Sequence, residues 1–273
     1  MPVLADEWKR LYLRSAWIRQ MEESGTTFGE FWDTCGAEDR DLEFFRYTSY
    51  PGPLLEIVLD SLTPGSSVLE IGAGGGAYTI PLARVAGSVV AVEPSAGQTA
   101  RLIERSRNER IENIRIIRQR WEDVDGDDIG EYDLVLAAYC FFMPDIGDAL
   151  QKMIEATRGE LILINLVDHG FEEILASVFG EYDPAPRGVH LYACLREMGV
   201  QASVEIVSRE AFIPYSILSD SFRRCRDFDR DTEDRLRAAL ASRGMLENID
   251  GKLQARRTYR DAVVRWRRNG PEV

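Results

Sequence analysis

Histidine is nearly absent: the 273 residues contain two, His169 and His190. A histidine-rich metal centre is thereby excluded, and a Ser-His-Asp triad has almost nothing to draw on. Cysteine is as sparse, with Cys35, Cys140, Cys194 and Cys225 far apart and no C-x-x-C pair. Neither a disulfide framework nor a zinc knuckle is built that way. No apolar run approaches the roughly 20 residues of a membrane-spanning helix. The longest, around Leu161–Val167, reads as a buried strand. The start, Met1-Pro2-Val3-Leu4-Ala5-Asp6-Glu7, lacks the basic-then-apolar order of a secretory signal, so a cytoplasmic protein without membrane contact is expected. Internal repeats and low-complexity segments are missing, and no feature sets an oligomeric state.

Positive charge is in deficit. The formal net charge is −13, with a pI near 4.8. Such a field repels a nucleic-acid backbone and favours neutral or cationic small molecules as partners. One stretch runs against this balance, with Arg256, Arg257, Arg260, Arg265, Arg267 and Arg268 close together. It reads as a solvated strand face rather than a nucleic-acid groove.

What is present is a balance suited to a buried core, 45% hydrophobic and 29% charged residues. From about Ser66, short β-branched runs alternate with helical patterns, the signature of βαβ units and a mostly parallel, doubly wound α/β sheet. The expected strands are 67–71, 89–93, 114–117, 133–138 and 161–165, followed by 203–213 and 258–267. Helices are expected at 77–85, 95–110, 146–156, 174–179 and 190–198, with polar helices between 219 and 243. Residues 168–187, with Gly170, Gly180, Pro184 and Pro186, read as a lid-like insertion over the strands' carboxyl ends.

Before the sheet lies a segment rich in aromatics: Trp8, Tyr12, Trp17, Phe28, Phe31, Trp32, Phe44, Phe45, Tyr47 and Tyr50. Helical spacing from Trp8 to Met21 predicts one amphipathic helix broken at Gly25. The chain thus divides into a helical cap, 1–50, and an α/β core, 51–273. The cap is expected to shape the substrate site while the core holds the cofactor by itself. Tyr47 and Tyr50, nearest the core, are the cap residues expected to reach the substrate.

The informative stretch is Val68-Leu69-Glu70-Ile71-Gly72-Ala73-Gly74-Gly75-Gly76. A buried strand runs into a glycine turn that opens a helix, leaving room for a ligand where a Cβ would stand. Some twenty residues on, a second strand ends in Glu93, placed to accept from a ribose diol. Two neighbouring strands with these endings form a nucleoside crevice at the topological switch point. Gly72, Gly74 and Ala77 also fit a dinucleotide fingerprint, so an NAD(P)-dependent oxidoreductase is a second reading. Glu70 suits a ligand ammonium better than a pyrophosphate, and no tyrosine has a lysine four places on.

Glu70-x-Gly72-x-Gly74-x-Gly76, Glu93, and Tyr132-Asp133-Leu134-Val135 together resemble the class I S-adenosylmethionine-dependent methyltransferase family over about residues 51–207. The resemblance implies a seven-stranded, Rossmann-like sheet whose last strand is antiparallel, and S-adenosylmethionine as cofactor. It also implies that Glu70, Gly72, Ala73, Gly74 and Gly76 hold the methionine portion and Glu93 the ribose. The loop Arg120-Trp121-Glu122 would meet the adenine, with Trp121 either stacking on the purine or packing on the sheet. Ala138 and Tyr139 would lie beside the sulfonium. Arg120-Trp121 departs from the Asp-Ala often found there, which moves the adenine contact to Glu122 or backbone.

Methyl transfer from a sulfonium needs alignment in a dry site more than acid–base chemistry. Tyr139 and His169 are the candidate catalytic residues, and Phe142, with Tyr47 and Tyr50, a candidate substrate contact. The loop Ala138-Tyr139-Cys140-Phe141-Phe142 lacks the Asn/Asp-Pro-Pro-aromatic signature of amino-methyltransferases. No acid closes the fourth strand, which argues against a magnesium site and leaves no metal expected. The reaction expected is in-line methylation of a small molecule. A non-catalytic S-adenosylmethionine-binding protein is a further alternative.

Overall fold

β-branched and leucine-rich runs produce five parallel strands at the centre: β1 (Ser67–Ile71), β2 (Ser88–Val92), β3 (Ile114–Ile117), β4 (Tyr132–Ala138) and β5 (Thr157–Asp168). β6 (Ser203–Pro214) and β8 (Lys252–Arg267) complete the order β3-β2-β1-β4-β5-β8-β6, with β8 antiparallel to both neighbours. The expected seven strands and the antiparallel last one are there. An eighth, β7 (Leu246–Ile249), forms a hairpin with β8. The computed structural model describes residues 3–25, 27–37, 46–126, 129–180, 184–225 and 228–268. Phe44 and Phe45 lie outside these.

Successive strand residues point to opposite faces, and both faces of a mostly parallel sheet are covered. Leu69, Val135, Leu161 and Leu163 face one apolar cluster; Val68, Leu134, Leu136, Ile162 and Ile164 face the other. On the first face lie α1 (Val3–Arg14), α7 (Ile146–Glu155) and α9 (Gly188–Glu197), contributing Trp8, Leu150 and Leu191. The second is covered by α4 (Pro53–Leu59) and α5 (Thr79–Ala83) through Leu54, Val58 and Leu82. α6 (Ala96–Glu109) buries Leu102 against Ala73, Ile80 and Ala91 behind the glycine turn.

The N-terminal segment is not one helix. Ser15 interrupts it, its hydroxyl accepting from Ile18 N to cap α2 (Ala16–Ser24), and α3 (Phe28–Ala37) follows. Trp8 is fully buried, and its Nε1 donates to Met143 O at 2.8 Å. The first helix is therefore part of the core it was expected to cover. The insertion expected at 168–187 contains α8 (Glu172–Phe179). This helix packs with α10 (Tyr215–Cys225) and α11 (Arg230–Ser242) into a third apolar cluster on the far ends of β6 and β8. Its apolar face is anchored there through Ile174, Leu175 and Val178.

The arginine-rich strand is β8. Arg256 pairs with Glu247, Arg260 with Asp168, Arg265 and Arg267 with Glu160, and Arg268 with Glu131. Arg257 stacks between the rings of Phe171 and Tyr259, 4.6 and 4.5 Å from their centroids. Its guanidinium groups meet acids or rings at each of these positions; Arg260 and Arg267 are largely exposed, as a solvated strand face requires, while Arg257 and Arg265 are half-buried.

Candidate functional site

The strand order reverses between β1 and β4, and the residues leaving β1, β2 and β4 converge there, where open α/β sheets bind ligands. Gly72, Gly74 and Gly76 all take positive φ, at 72°, 53° and 84°. Their reasons differ. A Cβ on Gly72 would stand 2.2 Å from Cys140 Cβ, and one on Gly76 2.6 Å from Leu102 Cδ1. At Gly74 it would meet only Gln98 Oε1, at 4.0 Å. Two glycines thus serve the protein's own packing, and the middle one faces open space.

Glu93 ties this turn to the next helix. Its Oε2 accepts from Gly74 N and its Oε1 from Ser95 N, both at 2.9 Å. Burial raises its carboxyl, and the two N–H groups oppose the rise. Each oxygen keeps a lone pair for a further donor. Ser95 Oγ donates to Asp33 Oδ1 at 2.6 Å, and Gly97 N donates to the same oxygen at 3.2 Å. Asp33, a cap residue the sequence did not single out, thereby fastens α3 to the start of α6.

Glu70 is 3% exposed and accepts from Thr79 Oγ1 at 2.6 Å. Burial pushes its carboxyl up to about 8, Thr79 pulling down and Glu93 adding to the rise. Two acids therefore sit at neighbouring strand ends beside an open glycine, as the motif led us to expect.

In the loop after β3 the structure decides between the two placements open to Trp121. Arg120 and Glu122 pair with each other near the surface. Trp121 points the other way: it is 2% exposed, its Nε1 donates to Ala149 O, and Lys152 Nζ lies 4.4 Å over its ring. Its indole packs on the sheet and has no free face for a purine.

After β4, Ala138 and Tyr139 pack with Tyr50 against the second apolar cluster. Tyr139 holds φ 54°, a left-handed conformation that bulky residues seldom adopt outside constrained sites. Its hydroxyl donates to Asp261 Oδ1 at 2.5 Å and accepts from Arg209 Nη2 at 3.2 Å. Arg209 Nε donates to Asp261 Oδ2, and Nη1 to Thr48 O, both at 2.6 Å. Burial and Asp261 hold the Tyr139 phenol far above the ordinary range, so it stays protonated. Tyr50 packs edge-on to Tyr139 and Tyr78, at 5.3 and 5.8 Å between centroids. Phe142 meets Trp32 of the cap at 6.1 Å.

Two expected residues stand apart from this group. Tyr47 packs against the third apolar cluster instead. The His169 Nδ1 accepts from Phe171 N at 3.2 Å, its carbonyl accepts from Arg257 Nε at 2.7 Å, and its backbone N–H donates to Glu172. Burial, Arg257 and Arg187 lower its pKa to about 3. Its ring lone pair is committed to the turn between β5 and α8, which removes it as a general base. Arg209, Asp261 and Tyr78 were missed. Arg257-x-Tyr259-x-Asp261, polar groups at every second position of a strand, was the available signal for part of this network.

Residues 68–159 match the methyltransferase-domain family. An uncharacterised protein from Haemophilus influenzae is 23% identical over 182 residues, 66% of this chain and 67% of that one. A ubiquinone biosynthesis O-methyltransferase from Chelativorans is 29% identical over 177 residues, 60% of this chain and 68% of its own. Among solved structures, a phosphoethanolamine N-methyltransferase from Haemonchus contortus, in complex with phosphomonomethylethanolamine and S-adenosylhomocysteine, shares the fold. It has a TM-score of 0.53 at 16% identity, covering 87% of this chain and 60% of that one. The matched stretch takes in the glycine turn and both acids, so the chain carries a methyltransferase domain over residues 68–159.

Proposed function

We propose that the crevice between β1, β2 and β4 binds S-adenosylmethionine and that a small molecule is methylated over Tyr139. The carrying observation is Glu93: a buried carboxylate at the end of β2, fixed by two backbone N–H groups beside the open Gly74. In this reading Glu93 takes the ribose diol and Glu70 the methionine ammonium. The positive-φ turn Gly72-Ala73-Gly74-Gly75-Gly76 lets the ligand approach, and Arg120 and Glu122 border the adenine. The bound sulfonium supplies a methyl group whose departure needs no proton. The protein's task is then to hold the acceptor in line and keep water out. Tyr50, Tyr139, Phe142 and Trp32 supply apolar surface for that. Tyr139 Oη, held by Asp261 and Arg209, fixes one wall of the acceptor site and keeps its own proton. The small-molecule acceptor is supported by the relatives, whose names are those of an O-methyltransferase of ubiquinone biosynthesis and a phosphoethanolamine N-methyltransferase.

Calorimetry with S-adenosylmethionine, S-adenosylhomocysteine and NAD tests the reading. The first two should bind and NAD should not. Glu93→Ala should weaken the adenosyl ligands by roughly tenfold to a hundredfold, the range for a hydrogen bond to a charged acceptor. Tighter binding of NAD would move the protein to the oxidoreductase class.

A further inference from the structure

One helix of the N-terminal segment spans the end of the crevice. Asp33 Oδ1 in α3 accepts from Ser95 Oγ at 2.6 Å and from Gly97 N at 3.2 Å, both in the segment that follows β2. Trp32, its neighbour, packs on Phe142 in the segment that follows β4. β1 and its glycine turn lie between those two strands in the sheet. α3 therefore bridges the two sides of the crevice, close enough to Glu93 for the charge of Asp33 to add to the rise of its carboxyl.

The contact has its own glycine. A Cβ at Gly97 would stand 2.8 Å from Asp33 O and 3.4 Å from Asp33 Cα, so α3 can settle this closely on α6 only where the side chain is missing. α6 gains nothing from that residue, since Gly97 has no left-handed φ and glycine weakens a helix relative to alanine. Gly97 serves the packing of one helix on the other.

α3 is also built to move as a unit. Thr27 and Glu30 cap it from within: Thr27 N and Oγ1 donate to Glu30 Oε2, and Glu30 N donates to Thr27 Oγ1. Before it, Gly25 closes α2 at φ 65° with nothing within 4 Å of its Cβ position. Asp33 is exposed and Trp32 half-buried, so the fastening opens at small cost. α1, by contrast, is pinned by the fully buried Trp8.

We propose that α3 is a gate over the cofactor crevice, hinged at Gly25 and latched by Asp33, and that it controls the exchange of S-adenosylmethionine for its demethylated product. The inference rests on the S-adenosylmethionine reading above and adds the element that governs passage.

Stopped-flow binding of S-adenosylhomocysteine to the full chain tests it, on wild type, Gly97→Ala and Asp33→Ala. The first variant unseats α3 with a methyl against Asp33 O, the second by removing the acceptor. Both should release the ligand about three- to thirtyfold faster and take it up no more slowly, with melting temperatures close to that of wild type. In unliganded protein, amide hydrogen exchange over residues 28–37 should quicken in both variants while that of α1 stays the same. Unchanged release, slower uptake, or exchange that quickens in α1 as much as in α3 would each make α3 a fixed part of the fold and overturn the gate. Failure of wild type to bind S-adenosylhomocysteine would overturn the cofactor reading as well, which none of the other outcomes does.

Discussion

The phenol of Tyr139 donates to Asp261 at 2.5 Å, joining the residue that follows β4 to a residue of β8 that lies 122 positions later in the chain. Asp261 has no solvent exposure, and Arg209 is its cation, 52 residues away in sequence. A buried pair contributes little net stability, but stranding one member is costly. Arg209→Met should lower unfolding free energy by about 3–5 kcal/mol in urea titrations. Adding Asp261→Asn to that variant should recover at least half of the loss. If the double variant is as unstable as the single one, the deficit comes from lost packing against Tyr50 and Tyr259 rather than from an unpaired charge.

If Glu70 receives the ligand ammonium as proposed, the protein's stability and cofactor affinity should respond to pH in opposite senses. Its carboxyl moves from an ordinary 4.5 to about 8 on folding, chiefly by desolvation. Between those values the folded chain retains a proton that the unfolded chain has lost. Stability from this group is therefore intact below pH 4.5 and falls as pH rises toward 8. A ligand ammonium reverses the preference by favouring the carboxylate. S-adenosylmethionine should bind more tightly as pH rises from 6 toward 8 and should release close to one proton at pH 7. Calorimetry in two buffers of different ionisation enthalpy measures that proton, and Glu70→Gln should abolish the release.

How far the site could be read in advance depended on whether its parts were local. β3 was legible to the residue, and the glycine turn with both acids was complete, because a turn and two strand ends leave a compact pattern. Trp121 was ambiguous, since an aromatic after a strand serves a ligand or a core equally well until its burial is known. β7 escaped because Leu246-Glu247-Asn248-Ile249 has no regular alternation; its pairing with β8 decides it. Ser15 was hidden within an unbroken amphipathic stripe, though its hydroxyl is the cap that starts α2. Arg209 and Asp261 belong to antiparallel strands whose register no local pattern reveals. His169 was chosen for its chemical type and proved to be spent on a turn.

The glycines separate packing from ligand approach. Gly72→Ala places a methyl 2.2 Å from Cys140 Cβ at φ 72°. It should cost about 2–4 kcal/mol of stability through left-handed strain and overpacking together. Gly74→Ala meets only the strain, about 1–2 kcal/mol, because its methyl enters open space. That space is the proposed ligand's, so S-adenosylhomocysteine affinity should fall at least about tenfold in a protein that still melts cooperatively. Undiminished affinity in Gly74→Ala would reduce the turn to structural punctuation.

Trp8 decides whether the cap can be separated from the core. Its indole is fully buried, packs edge-on to Phe141 at 6.5 Å, and donates to the Met143 carbonyl in the loop that follows β4. The start of the same helix is held by Glu197 of α9, whose carboxylate accepts from Val3 N and Leu4 N. The first helix thus closes one face of the sheet, whereas Asp33 and Trp32 of α3 meet Ser95 at the start of α6 and the Phe142 loop. Trp8→Ala should lower stability by about 3–5 kcal/mol, as for a large aromatic deleted from a packed core. Removing residues 1–40 should then abolish the cooperative melt rather than leave a free-standing cofactor domain. Asp33→Ala should melt near the wild-type temperature and still bind S-adenosylhomocysteine more weakly, since Asp33 is itself exposed and its carboxylate accepts from Ser95 Oγ and Gly97 N at the start of α6. A truncated chain that melts cooperatively and binds S-adenosylhomocysteine as the full chain does would show that Trp8 fills a cavity the core can close without it.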